Sequence, residues 1–408
     1  MLQKIYTTLF FLGLFFFPFN DFDGISALGE FKRESGALFL FTGFIFLIGA
    51  VFYSKKVVIP YKNVLFLFVM LFLIWCFITT LFNINTVCYN YFKHTTGINR
   101  FIRQYFALLI SSFIFFIFYI NVLAKMETKE ILFKIRKVFL YSLIFASIYG
   151  FLETLVSVFG FRFLLPVLKL FNYFPFLELN LYSDGRISSI SYEPPFLAIY
   201  LISISGWMFS YILTNKKPTK FLPAVAVLFL TYFSGSRTGL VVVFIQVILF
   251  SIFLYKDIRF KSYIKNTLIG FSIIFAVLLV FNGEKVIKSV ETKMESLDFK
   301  NNLTKNVSNK SRFGIQYASL QVFKENPIIG VGFGQQAYHN RTHYPGWATK
   351  NNYEFELLYK NKKDKTFPPG YNLYTRLLAE TGLIGFLLFM ILLYFSLRET
   401  LNIMKRVE

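Results

Sequence analysis

Three short stretches place an arginine at the start of a helix-forming run: DGRISSISYEPPFLAIYL with Arg186, SGSRTGLVVV with Arg237, and NKSRFGIQ with Arg312. Ser236 and Ser311 are N-cap residues by type, and Pro194 and Pro195 suit a first helical turn. A helix N-terminus offers unpaired N–H groups and a positive dipole end. A guanidinium beside it adds a planar fork of donors, and the pair suits phosphate oxygens. Three such termini converging would hold a diphosphate carried on a lipid. Arg237 makes the case most sharply, because it is the sole charge between Lys220 and Lys256. At membrane depth an arginine is costly unless something binds it. The alternative is snorkelling to headgroups, and that reading is preferred for Arg100, Arg103 and Arg162. Around Arg237 the small residues of SGSRTG leave the backbone approachable.

Other residue types here handle protons. Glu193 follows Arg186 on the same stretch; it is either a base for a sugar hydroxyl or an ion-pair and helix-terminal charge. His339 and His343 fall in a polar loop, as proton acceptors or as exposed loop residues. In PPGYNLYTRLLAETGLIGF, Tyr371, Asn372 and Arg376 stand at the edge of the last apolar run, with Glu380 about one turn further in. NPIIGVGFG alternates glycine with apolar residues but does not open a helix as a dinucleotide fingerprint does. A tight turn that docks the loop on the membrane domain is its expected role. Just before it, Phe313, Tyr317, Leu320 and Phe323 recur at helical spacing, with Ser311 as N-cap and Pro327 as stop. This pattern predicts an amphipathic helix in the membrane interface. Tyr344, Trp347, Tyr353 and Tyr359 in the loop beyond either stack on sugar rings or pack the loop.

The elements that must position these groups are membrane helices. The chain is 55% hydrophobic with 56 Phe, and stretches of roughly 20 apolar residues span about 30 Å of hydrocarbon. Ten spans are expected, near 2–19, 36–53, 62–82, 104–123, 137–159, 189–213, 220–233, 238–255, 266–282 and 380–397, with room for a re-entrant segment at 160–178. The fold class is therefore all-α and polytopic. Residues 1–282 carry nine helices, 283–378 form one large external loop, and 379–408 hold the last helix and a tail. Lys55, Lys56, Lys125, Lys129, Lys134, Arg136, Lys137, Lys216, Lys217, Lys220, Lys256, Arg259, Lys261 and Lys265 cluster at one side, which places both termini in the cytoplasm and Arg237 outside. The net charge of +21 fits this bias and anionic lipid; no basic stripe, zinc spacing or P-loop points to nucleic acid. Cys76 in a span and Cys88 in a loop make no disulfide framework. No acidic cluster with magnesium-binding spacing stands outside, so neither metal nor cofactor is expected. A transporter would carry ionisable groups at mid-bilayer and repeated halves; Glu153 is the main acid inside a span, and no repeat is seen.

RISSISYEPPFLAIYL, FSGSRTGLVVV, SRFGIQYASLQVFKENPIIGVGFG and YNLYTRLLAETGLIGF occur in the order that resembles the O-antigen polymerase and O-antigen ligase superfamily, over roughly residues 180–390. The resemblance implies a bacterial inner-membrane glycosyltransferase with its site toward the periplasm. Donor and acceptor would both be oligosaccharides on undecaprenyl diphosphate, with membrane lipids and a chain-length regulator as further partners. It implies Arg186, Arg237 and Arg312 as diphosphate ligands, with Asn372 and Arg376 beside them. Where relatives resemble His-Asn before the final span, this chain has Tyr371-Asn372. That departure favours a polymerase over a ligase, and leaves Glu193, His339, His343 or Tyr371 to act on the acceptor hydroxyl. A flippase for lipid-linked oligosaccharide is the reading from another class.

Overall fold

The computed structural model describes residues 1–182, 185–214, 217–256, 260, 261, 265, 307–361 and 363–407. Among these, seven helices are long and apolar enough to cross a membrane. They are α2 (Ser35–Ser54), α3 (Val64–Phe82), α4 (Gly97–Leu123), α5 (Thr128–Ser157), α6 (Pro194–Thr214), α8 (Arg237–Lys256) and α10 (Leu373–Val407). Two shorter apolar helices, α1 (Leu2–Phe15) and α7 (Leu222–Ser234), complete the apolar set, and α9 (Val307–Glu325) is more polar. The only paired strands among the described residues are Tyr91–Phe92 and Thr95–Thr96, a small antiparallel hairpin. The expected span 266–282 and the loop up to residue 306 lie outside the described residues.

Two expected boundaries move for the same reason. α4 starts at Gly97 and not 104, and α10 starts at Leu373 and not 380. Their first turns carry Asn99, Arg100, Arg103 and Gln104, and Arg376 and Glu380, which hydropathy reads as loop. Three of these side chains partner one another: Arg376 Nη2 donates to Gln104 Oε1 at 3.0 Å and its Nε to Glu380 Oε1 at 3.1 Å. A polar turn satisfied in this way can continue a helix. Residues 162–173 form short helical turns that leave Phe163 and Tyr173 exposed.

The chain divides into two compact units, each drawn from two stretches of sequence. The first comprises Met1–Val58 and Phe115–Ala276. Its core runs from Phe16 and Phe19 through Leu143, Ala146 and Tyr149 of α5, Leu197, Leu201 and Ile204 of α6, and Leu230 of α7 to Val243 of α8. Close helix approach depends on small residues, as expected in lipid. A Cβ on Gly36 of α2 would stand 2.7 Å from the Gly13 carbonyl of α1, and one on Gly239 of α8 would stand 2.8 Å from Ala198 Cβ of α6.

The second unit comprises Ile59–Ile114 and Val277–Glu408. Here α3, capped by the Asn63 side chain, packs on α10, and α9 packs on α10 as well. The NPIIGVGFG segment docks where α10 breaks. Gly382 has φ +62° inside α10, and around it Leu383 N donates to Pro327 O at 2.8 Å, Val331 N to Ala379 O at 3.0 Å and Gly332 N to Glu380 O at 3.0 Å. Asn83 at the end of α3 adds a bond to Gly330 O at 3.1 Å. The docking role expected of these glycines is what the backbone shows: Gly330 and Gly332 have φ of +77° and +98°, which residues with a Cβ adopt poorly.

α9 corrects two expectations. It begins no later than Val307, so Ser311 is inside the helix and not its cap, and Arg312 is beyond the first turn. Ser311 is buried and bonded to Asn352. The face that α9 buries is Ser311, Gly314, Ile315, Ala318, Ser319 and Val322, not the Phe313–Tyr317–Leu320–Phe323 stripe. Small residues let the chain approach: a Cβ on Gly314 would be 2.5 Å from Ala348 Cβ. Tyr317 and Leu320 remain exposed, the arrangement of a helix whose apolar stripe is turned away from its own unit.

Candidate functional site

In the first unit Arg186 and Arg237 come to one joint. α7 ends at Ser234 with Gly235 in the left-handed region at φ +62°. The glycine lets the chain reverse within two residues, and α8 begins at Arg237. Ser236 caps it as expected, its Oγ accepting from Gly239 N at 3.3 Å. Arg186 lies across this joint: its Nε donates to Ser234 O at 3.1 Å, and a Cβ on Gly235 would meet its Cγ and Nε at 3.0 Å. A side chain at 235 would displace the guanidinium. Backbone pairing of Ile187 N with Phe233 O at 3.1 Å fixes the register.

Glu193 stands at the start of α6, its carbonyl accepting from Phe196 N at 2.9 Å and Leu197 N at 3.2 Å. Because Gly239 packs on Ala198, the N-terminal ends of α6 and α8 lie side by side. Two helix termini, two arginines and one glutamate thus occupy one end of this unit. Such a group can bind an anionic oxygen-rich ligand next to a carboxylate able to take a proton.

Residues from the N-terminal third, outside the motifs that carry the arginines, support this end. Asn20 Oδ1 accepts from Tyr192 N at 2.6 Å, and the Arg33 guanidinium stacks on the Tyr192 ring at 3.8 Å. Tyr182 donates its hydroxyl to Tyr192 O at 2.6 Å; burial first, and the Glu193 charge second, push its pKa up to about 12. Asp21 is 5% exposed with Oδ2 unbonded. Its pKa rises to about 7, mainly through burial, then through Glu178, against the pull of Arg33. For Asn20 and Asp21 the sequence signal is the cluster of polar types in NDFD just after an apolar run.

The second unit gathers Arg312, Tyr371, Asn372 and Arg376. The Arg312 guanidinium stands 5.7 Å from the Tyr371 ring centre. Asn372 caps α10, its Oδ1 accepting from Tyr374 N at 2.9 Å and Thr375 N at 3.1 Å, while its Nδ2 donates to Gln316 of α9 at 3.3 Å. Tyr371 has φ +53° and is 45% exposed, so the ring that replaces the expected histidine faces outward. Behind the patch, Arg376 and Glu380 pair, and Glu380 also accepts from Gln336 N at 3.3 Å. Arg376 is thereby a structural tie at the start of α10.

The two loop histidines differ. His339 sits on the short helix Gln336–Asn340, with Nε2 buried and unbonded; burial, aided by the His343 and Arg341 charges, lowers its pKa. His343 Nε2 meets Glu325 Oε1 at 2.8 Å. Burial opposes its charge, but its bonds to His339 O and to Glu325 prevail and raise its pKa. His343 thus has its Nε2 engaged by Glu325, whereas His339 keeps its Nε2 unbonded and is the weaker base of the two.

The loop aromatics divide as well. Tyr344, Phe355 and Tyr359 pack on one another at 4.7–5.3 Å, and burial drives the Tyr344 and Tyr359 pKa values upward. They hold the loop together, whereas Tyr353 is exposed. Lys93, unremarked in the sequence, is buried and donates to Leu357 O at 2.9 Å and Asn361 O at 2.8 Å, closing the end of the Glu356–Lys360 turn.

Residues 222–390 match the family described as O-antigen ligase. The matched stretch takes in Arg237, Arg312, the glycine loop, Tyr371, Asn372 and Arg376, whereas Arg186 and Glu193 precede it. No curated protein and no solved structure matches the chain.

Proposed function

From the match of residues 222–390 to the family described as O-antigen ligase, in a multi-pass membrane protein, we propose that the chain is a glycan polymerase. It transfers an oligosaccharide from undecaprenyl diphosphate to a sugar hydroxyl of another lipid-linked repeat, at the periplasmic side of the bacterial inner membrane. The observation that carries this reading is the joint at Gly235, where Arg186 lies against Ser234 and Gly235 two residues before Arg237 opens α8.

In the proposed reaction the acceptor hydroxyl oxygen attacks the anomeric carbon of the donor. The bond from that carbon to the diphosphate oxygen breaks, and undecaprenyl diphosphate leaves with the bonding pair. Arg186, Arg237 and the N–H groups of α8 stabilise the charge that grows on it, the contribution that is usually largest in such transfers. The hydroxyl proton passes to Glu193, which shares the segment of Arg186. Arg312, with Tyr371 and Asn372, binds further phosphate or sugar oxygens of a lipid-linked substrate. No metal is assigned a part in these steps.

Purified protein in liposomes with an undecaprenyl-diphosphate repeat unit tests the reading. A ladder of repeats that disappears in Arg237→Ala, with folding intact, is the expected result. Transfer to an added lipid A-core acceptor without a ladder would make the chain a ligase. Lipid movement across the bilayer without any new glycosidic bond would end the enzyme reading.

A further inference from the structure

Glu153 lies near the end of α5, fully buried, and takes no part in the reaction as written above. Its two carboxylate oxygens accept from consecutive residues of the segment that carries Arg186: Ser188 N to Oε1 at 3.1 Å and Ser189 N to Oε2 at 2.7 Å. The Ser189 hydroxyl donates to Ala146 O of the same helix at 2.7 Å. The segment also lies directly on the α5 backbone, since a Cβ on Gly150 would stand 3.4 Å from Ser189 Cβ and 2.5 Å from Leu230 Cδ2. Ser189 has φ +52°, a left-handed conformation that is unfavourable for a residue with a Cβ. Two N–H groups aimed at one carboxyl group hold the chain there, because leaving them unbonded in a buried place would cost more than the strained torsion. Just before this clamp is Arg186, and just after it Tyr192 N is tied to Asn20, so Glu193 follows from a fixed point.

We propose that Glu153 is a positioning residue. By gripping the backbone at Ser188 and Ser189 it sets the place of Arg186 for the lipid-linked diphosphate, an inference that rests on the function proposed above. The role requires two acceptor atoms. Glu153→Gln keeps the size but turns an NH₂ donor toward an N–H donor, whereas Glu153→Asp keeps both acceptors on a shorter stem.

The test is a double-mutant cycle on purified full-length protein, with undecaprenyl diphosphate itself as the binding probe and the lipid-linked repeat as substrate. Glu153→Gln is expected to weaken probe binding and raise KM about tenfold or more, the order of effect of a small misplacement of a binding group. Arg186→Ala has a similar or larger effect, and Glu153→Gln adds nothing further on the Arg186→Ala background. Glu153→Asp recovers part of the binding. Probe binding equal to wild type in Glu153→Gln would overturn the proposal, and so would a loss that adds in full to that of Arg186→Ala. If Glu153→Gln fails to fold, the same cycle run with Glu153→Asp decides. Wild-type protein that does not bind the probe would bring down the proposed function first and this inference with it. Wild-type binding and turnover with an indifferent Glu153 would bring down the inference alone.

Discussion

Arg237 and Asp21 are both charged-type residues beside apolar helices, yet their surroundings assign them opposite behaviour. Arg237 is exposed at the first turn of α8, where a ligand can reach it. Replacing it by Ala is expected to lower transfer by about a hundredfold, in line with loss of one stabilising donor. Arg237→Lys restores only part of that, because an ammonium lacks the planar fork. Steady-state turnover on the lipid-linked repeat checks both; equal activity of Ala and wild type would remove Arg237 from the site. Asp21 is shut in, and its pKa moves from 3.8 to about 7. The folded protein thus binds this proton more tightly than the unfolded chain, so stability from the group is fully present below 3.8 and falls as pH rises toward about 7. Asp21→Asn removes the cost of ionisation: it is expected to raise the melting temperature at pH 8 and to leave it nearly unchanged at pH 4, with an upper bound of roughly 4 kcal/mol. Thermal unfolding at the two pH values is the measurement, and an equal shift at both would contradict the assignment.

Among the elements, α10 depends most on a single residue. Gly382 breaks the helix at φ +62°, and a Cβ there would lie 2.2 Å from the Ile328 carbonyl oxygen. The break leaves room for the 327–332 backbone to bond with residues 379–383. Gly382→Ala is therefore expected to destabilise the protein by at least about 2 kcal/mol through strain and the loss of those bonds. Limited proteolysis should show faster cutting within 326–335, and an unchanged digest would count against the docking account. The same region shows the limit of pattern reading in α9. Helical spacing found the helix and its stop, but the apolar stripe Tyr317–Leu320 was the exposed face and Gly314–Ala318 the buried one. In a membrane protein a helix packs through small residues, because its large apolar side chains are equally well placed in lipid.

At the scale of the whole molecule, the basic loops predict a topology that the chain's own cysteines can report. Cys76 is buried in α3 and Cys88 is exposed beyond its end. With both termini in the cytoplasm, Cys88 is outside. A membrane-impermeant maleimide is expected to label Cys88 in right-side-out vesicles and to leave both cysteines unlabelled in inverted ones, while Lys56→Cys labels only in the inverted preparation. Labelling of Cys88 from the cytoplasmic side would reverse the topology and move the proposed chemistry to the other face.

Long apolar runs, each able to satisfy its backbone only as a helix in hydrocarbon, were sufficient by themselves to determine an all-α membrane protein, most of its spans and the places where arginine meets a helix start. Those properties are local: hydropathy, capping residues and glycines act within a few positions of one another. What only the tertiary structure decided depends on partners far apart in the chain. Arg186 reaches Ser234 and Gly235, the turn before Glu193 hangs from Asn20 and Glu153, and the glycine loop fits the break at Gly382. The polar first turns of α4 and α10 read as loop until Gln104, Arg376 and Glu380 are seen to bond with one another. A buried polar group is tolerable only with its partner in place, and no property of a single stretch of sequence names that partner.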